Sequence, residues 1–166
     1  MSWMVAIAKR FLPASERAQR ILETFLDFSL EHFDALAERI GEEEARAMYR
    51  KAAAAVGRKT GETLKKELKM EPGTDSARDS WVIGCRLLGF RIRTQDAEDG
   101  VDFEHLNDPL WESFVQHGRL LCDCTCVPMT RAMARVFYPE ANVEFVREPT
   151  LAQPCIKRLV FRSEED

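Results

Sequence analysis

The chain has 166 residues, a length typical of one compact domain with its own hydrophobic core. Its 45% hydrophobic and 31% charged residues, with only 8 glycines and 7 prolines, exclude a disordered or low-complexity chain. The net charge of −4 argues against a general nucleic-acid binder, and no apolar run approaches the ~20 residues that cross a membrane. We therefore expect a cytoplasmic protein without nucleic-acid or membrane partners.

Two long helices are predicted in the N-terminal half. Apolar residues recur every three or four positions over 13–39, which indicates an amphipathic helix that ends at Gly41. A second helical run covers 42–70 and opens with three glutamates, which suit the positive end of a helix. Gly57 and Gly61 in this run favour close approach of a neighbouring helix or of a ligand. These helices could also mediate a homodimer.

Shorter elements follow a loop at 71–76. The stretch 76–88 fits a short buried helix, with a strand as the alternative. Two alternating segments around an Asp-Gly turn, between residues 90 and 106, indicate a β-hairpin. The segment 109–117 begins with proline and is followed by glycine, which is typical of a short helix.

The C-terminal segment completes the predicted fold. A helix is expected to open at Pro128 and stop at Pro139, followed by alternating strands at 142–148 and 155–162. This order predicts an α+β fold, with two long N-terminal helices and shorter helices packed on a small antiparallel sheet. We expect a single domain over 1–166, with a mainly helical part at 1–75 and an α+β part at 76–166 that carries the cysteines.

The cysteines are the chemically distinctive residues: Cys85, Cys122, Cys124, Cys126 and Cys155. An odd number in a reducing compartment predicts free thiols. The three at alternate positions 122, 124 and 126 would share one side only if the backbone were extended there. Cys126 lies just before a predicted helix, whose positive end would lower the thiol pKa and favour a nucleophile or a metal ligand. Cys85 and Cys124 are more simply interpreted as core residues.

The C-terminal half carries a resemblance. The stretch from Leu88 to Phe161, which includes NDPLWESFVQHG, LCDCTCVPMTRAMARVFYPE and CIKRLVF, resembles the L-2-amino-thiazoline-4-carboxylic acid hydrolases. In that family a cysteine precedes a helix that ends at a proline, and a last cysteine opens the final strand. These features fall on Cys126, Pro139 and Cys155. The resemblance implies a hydrolase that acts on a C–N or cyclic amidine-type bond of a small carboxylate.

One position departs from the family pattern. The family's Cys-Pro falls on Asp108-Pro109, where this chain has a carboxylate in place of a thiol. A carboxylate near two thiols is still a plausible hydrolytic arrangement, with Asp108 as general acid or base and Cys126 and Cys155 as thiol groups. We therefore predict a catalytic set of Asp108, Cys126 and Cys155.

A fainter similarity, to the vinyl-reductase-like ligand-binding domains, implies an alternative function. In that family cysteines and a glutamate hold zinc beside a pocket for small aromatic or hydrocarbon ligands. The corresponding metal ligands here would be drawn from Cys122, Cys124, Cys126, Glu144 and Cys155, although Arg147 stands where a further cysteine is expected. The alternative is a non-catalytic, zinc-containing domain that binds a small hydrophobic molecule.

Three other residues are candidates for substrate binding. Arg131 could receive a substrate carboxylate, although a position on a solvated helix face is the slightly favoured explanation. Trp111 could line a pocket next to the cysteines. His105 could assist a thiol as a base, with an exposed loop position as the simpler explanation.

Overall fold

The computed structural model describes residues 14–161, so Pro13 of the predicted first helix and Arg162 of the predicted last strand lie outside the described part. The helices are α1 (Ala14–Ile40), α2 (Glu42–Glu67), α3 (Thr74–Leu87), α4 (Pro109–Gln116) and α5 (Cys126–Ala134). The strands are β1 (Arg91–Ala97), β2 (Gly100–Asn107), β3 (Asn142–Arg147) and β4 (Ile156–Val160).

The four strands form one antiparallel sheet in the order β1-β2-β4-β3. Together with the helices this sheet confirms the predicted α+β fold with two long N-terminal helices. The segment 76–88 is helical, so the strand alternative for it is wrong. The last helix begins at Cys126, two residues before Pro128, and ends at Ala134, well before Pro139.

The helices cover the side of the sheet that carries its apolar side chains. Val101, Phe103 and Leu159 point into this layer and join Trp81 of α3 in the main hydrophobic core. On the other side of the sheet, Arg158 pairs with Asp102 at 2.6 Å and belongs to the solvated surface. Buried apolar and solvated polar side chains therefore alternate with the two-residue period of a half-buried sheet.

Glycines set the distance between α2 and α5. A Cβ atom at Gly57 would overlap the backbone carbonyl of Met129, and one at Gly61 would lie 2.9 Å from the carbonyl oxygen of Met133. The interpretation of these glycines as close-packing positions is confirmed, and the neighbour is the helix that begins at Cys126. Close contact with α2 thus fixes the position of α5 and of its first residue, Cys126.

The predicted homodimer through the N-terminal helices stays a prediction. Exposed apolar side chains on α1 include Ile21, Phe25 and Phe28. Among residues 14–161, none of the helices combines the length and apolar character that crossing a membrane requires.

Candidate active site

The backbone at the cysteine cluster is a tight turn. The N–H of Cys124 donates to the carbonyl of Leu121 at 3.2 Å, as in a helical turn. Residues four apart share a side in such a turn, whereas residues two apart do not. Consequently Cys122 and Cys126 lie together and Cys124 points elsewhere, so the extended arrangement that would align all three thiols is not formed.

Cys124 is part of the hydrophobic core. Its thiol donates to the carbonyl of Leu121 at 3.4 Å, and its nearest cation is Arg46, whose Nη1 lies 4.0 Å from the sulfur. The side chain is fully buried with Phe33 and Phe114. Burial raises the pKa of the Cys124 thiol to about 12, so this residue stays protonated.

Three other thiols form a compact buried group, which we call the thiol cluster: Cys122, Cys126 and Cys155. The thiol of Cys122 lies within hydrogen-bonding reach of the other two sulfurs, and these contacts together with burial raise its pKa. The same contacts lower the pKa of Cys126, and they lower that of Cys155 to about 6. Cys122 therefore acts as the hydrogen-bond donor to a thiolate on one of its neighbours.

A buried lysine lies beside the thiol cluster. Lys157 is on β4, where it points towards the helices and is only 1% exposed. Burial disfavours its charge, but the surrounding sulfurs of Cys126 and Cys155 and the carboxylate of Asp108 raise its pKa overall. The ammonium group therefore persists and lowers the pKa of both cysteines. Sequence reasoning missed Lys157, although in the alternating segment CIKRLVF it occupies an inward position.

His105 and Asp108 form a second buried pair. His105 Nδ1 donates to Asp108 Oδ2 at 2.6 Å. Burial raises the pKa of Asp108, but the hydrogen bond and charge of His105, with the charge of Lys157, lower it overall. An ionised Asp108 can only accept, so the hydrogen between the two groups lies on His105 Nδ1, and Nε2 is the ring nitrogen that faces Cys85. The alternative position of His105 in an exposed loop is wrong.

Asp108 also has a structural role. It is the N-cap of α4, and its Oδ1 accepts a hydrogen bond from the backbone N–H of Trp111 at 3.0 Å. One carboxylate thus fixes both the start of a helix and the orientation of the His105 ring. Of this pair, His105 is the residue that lines the cavity, and its hydrogen bond to Asp108 fixes the orientation of its ring.

Cys85 lies on the other side of His105. Its sulfur is 3.9 Å from His105 Nε2, which gives the order Asp108, His105, Cys85 along one line of contacts. Burial raises the pKa of Cys85 to about 12. Its thiol is therefore protonated and lies against the imidazole, so Cys85 is not the thiol with the lowered pKa.

These groups meet at one end of a cavity of about 290 Å³. Cys85, His105, Cys126 and Lys157 line that end, and the other walls are mainly apolar side chains of α2, α3 and α5. Among the lining residues Leu87 is 70% exposed, so the cavity opens to solvent beside α3. Of the thiol cluster, Cys126 is the member that reaches the cavity wall.

The remaining predicted site residues lie elsewhere. Arg131 donates to the carbonyl of Val143 at 2.9 Å, and Trp111 Nε1 donates to the carbonyl of Thr150 at 2.8 Å. Neither lines the cavity. Both side chains instead hold segments around β3 in place.

Of the predicted metal ligands, Cys122, Cys126 and Cys155 lie together in the thiol cluster, but Glu144 and Cys124 lie apart from them. Glu144 is exposed on β3, where Asn142 donates to it at 3.1 Å, and Cys124 faces the opposite side of its turn. Within the described residues, no group of three His, Cys, Asp or Glu side chains is arranged to hold a metal ion. An ammonium group beside the sulfurs is also a poor neighbour for a divalent cation.

The family profile of L-2-amino-thiazoline-4-carboxylic acid hydrolase matches residues 19–154. The chain belongs to this family. The match covers most of the chain and confirms the family resemblance found in its C-terminal half. No curated protein and no solved structure gives a significant match.

In this member of the L-2-amino-thiazoline-4-carboxylic acid hydrolase family, the observed groups suit covalent hydrolysis. A thiolate supported by a hydrogen bond and an ammonium group is a nucleophile, and a histidine oriented by a carboxylate moves protons. Cys126 and His105 line the same cavity, where a small substrate could contact both.

Proposed function

We propose that the protein is a thiol-dependent hydrolase of small cyclic amidine or amide-like substrates, including the thiazoline carboxylates named in the family description. The observation that carries this proposal is the position of Cys126. Cys126 is the first residue of helix α5, and its thiol has a lowered pKa. It lines a cavity that is also lined by His105, whose ring is hydrogen-bonded to Asp108.

The reaction divides into two steps. The Cys126 thiolate forms a bond to the amidine or acyl carbon, the ring C–N or C–S bond breaks, and a protonated His105 gives its proton to the leaving atom. Water then adds to the same carbon, His105 takes a proton from it, and the bond to Cys126 breaks to restore the thiolate. Lys157 holds the negative charge on sulfur at the start and end of this cycle.

A second candidate function, a non-catalytic domain that binds a small hydrophobic molecule, is favoured by the apolar walls of the cavity. It would use the same cavity but would not need an ionised thiol. In such a domain Cys122 and Cys155 would only fill space in the core. In the proposed hydrolase they also influence the pKa of Cys126. Turnover separates the two functions.

The test is hydrolysis of 2-amino-thiazoline-4-carboxylate by wild-type protein and by Cys126→Ala. We expect the variant to lose at least ~10²-fold in kcat/KM, since the nucleophile is removed. Trapping with iodoacetamide followed by peptide mass spectrometry should place the fastest alkylation at Cys126.

Cys124→Ser is the matched control, because Cys124 is equally buried but lies outside the cavity. This variant should retain hydrolysis within about threefold, as expected for a change that does not touch the reacting atoms. Full activity in Cys126→Ala would exclude the proposed nucleophile, and turnover by neither protein would favour the binding domain.

A further inference from the structure

We infer that the substrate of this chain carries an uncharged apolar group, of about the size of a phenyl ring, next to the amidine or amide carbon. The inference rests on the proposed function and names the substrate class of the same site. It would make a free thiazoline carboxylate a poorer substrate than an aryl-substituted analogue.

The first observation is the unequal distribution of polarity around the cavity. Apart from Cys126, His105 and Lys157, most of the lining is apolar, and Thr60 and Thr130 add two hydroxyl groups. The large apolar side chains include Leu88, Phe90, Leu110, Met129 and Met133. A volume of about 290 Å³ exceeds what a small reacting ring fills, so the remaining space takes an apolar substituent.

The second observation is the charge at the polar end. No arginine lines the cavity among the described residues, and the one lysine there, Lys157, already faces the sulfurs of Cys126 and Cys155 and the carboxylate of Asp108. A substrate carboxylate placed inside would therefore find no free cation and would lose its hydration.

The test compares two compounds that share the amidine ring and differ at one position: 2-amino-thiazoline-4-carboxylate and 2-amino-4-phenyl-thiazoline. For the wild-type protein we expect kcat/KM to be at least about tenfold higher for the phenyl compound, because burial of one aromatic group stabilises the bound state by enough to give that factor or more. A preference for the carboxylate would overturn the inference and leave the proposed hydrolase intact.

A variant that fills the cavity gives an independent readout. Gly84 lines the cavity, and a Cβ atom there would meet only the flexible end of Met133, at 3.3 Å. Gly84→Leu should lower the ratio of kcat/KM for the phenyl compound to kcat/KM for unsubstituted 2-amino-thiazoline about tenfold. Arg86→Leu adds the same side chain on the exposed part of α3 and serves as the matched control.

If neither compound is hydrolysed, binding measurements still test the inference. Titration calorimetry with the Cys126→Ser protein measures the affinity of each compound without turnover. Tighter binding of the phenyl compound, weakened by Gly84→Leu, would support the inference although the proposed hydrolase had failed. Equal or weaker binding of the phenyl compound would overturn the inference.

Discussion

Lys157 shows how one side chain sets the chemistry of its neighbours. Its strand places it between the apolar core and the thiol cluster, with an exposure of only 1%. An isolated buried ammonium group would be costly, so its charge depends on the sulfurs and on Asp108 around it. In return it lowers the pKa of Cys126 and Cys155.

Replacement of Lys157 by methionine should therefore change the reactivity of the thiols. Because a lowered pKa keeps the thiolate at neutral pH, alkylation of the wild-type Cys126 should slow only as the pH falls through that lowered value. In Lys157→Met the pKa rises, and we expect the pH midpoint for iodoacetamide reaction at Cys126 to increase by about one unit or more. Peptide mass spectrometry over a pH series measures this midpoint from the extent of alkylation at Cys126.

Arg158→Met is the control for this prediction. Arg158 is the next residue on β4, but it points to the other side of the sheet and pairs with Asp99 and Asp102. Its loss should leave the midpoint at Cys126 unchanged. An unchanged midpoint in Lys157→Met as well, with both variants folded by circular dichroism, would show that the lysine does not support the thiolate.

At the scale of elements, the contact between α2 and α5 positions Cys126. α5 begins at Cys126, and its backbone at Met129 lies directly against Gly57 of α2. On the far side of the turn, Arg46 of α2 donates to Asp123 at 2.7 Å. Two separate contacts with α2, at Gly57 and at Arg46, therefore fix the orientation of the first turn of α5.

The Gly57→Ala substitution tests this arrangement. In an isolated helix alanine would be more stable than glycine by about 1 kcal/mol, but the new methyl group would overlap the Met129 carbonyl. We expect a net loss of ~1–3 kcal/mol in the free energy of unfolding, measured by urea denaturation.

Gly84→Ala is the comparison for Gly57→Ala, because its methyl group would meet only the end of Met133 at 3.3 Å. This variant should be as stable as the wild type or slightly more stable, by up to ~1 kcal/mol. Equal stability of both alanine variants would contradict the close packing of α2 on α5.

At the scale of the whole molecule, residues far apart in sequence meet at one cavity. Cys85 comes from α3, His105 from β2, Cys126 from α5 and Lys157 from β4. The antiparallel pairing of β2 with β4 sets Phe103 opposite Lys157. Since both strands alternate with a two-residue period, this pairing directs His105 and Lys157 to the same side of the sheet.

This arrangement bears on the zinc alternative. The thiol cluster supplies three sulfurs, but an ammonium group lies beside them, and the proposed ligands Cys124 and Glu144 lie elsewhere. We expect protein purified without added metal to contain zinc well below one atom per chain, as measured by elemental analysis. Stoichiometric zinc that is lost in Cys126→Ser would contradict this expectation and favour the zinc-containing binding domain.

Local sequence patterns were sufficient to predict most elements. Helical periodicity, the turn at Asp99-Gly100, and proline or glycine at helix ends indicated the two long helices, the hairpin and α4. These signals are local because helices and hairpins are built from contacts between residues close in sequence. Family resemblance added the class of reaction, which the family match over residues 19–154 supports.

The residues of the candidate site could be predicted only in part from the sequence. Asp108, Cys126 and Cys155 were predicted to converge, and the structure places all three beside Lys157. Lys157 itself was missed, since a single lysine in a strand is usually solvated and only the pairing of β4 shows that this one faces the core.

The sequence by itself determined the element types, the α+β class and a set of free thiols whose chemistry is distinctive. Only the tertiary structure decided which thiols share an environment. The tight turn at residues 121–125 separates Cys124 from Cys122 and Cys126, and packing brings Cys155, His105 and Lys157 to them. The physical reason is that pKa and reactivity depend on burial and on neighbouring charges, which long-range contacts create.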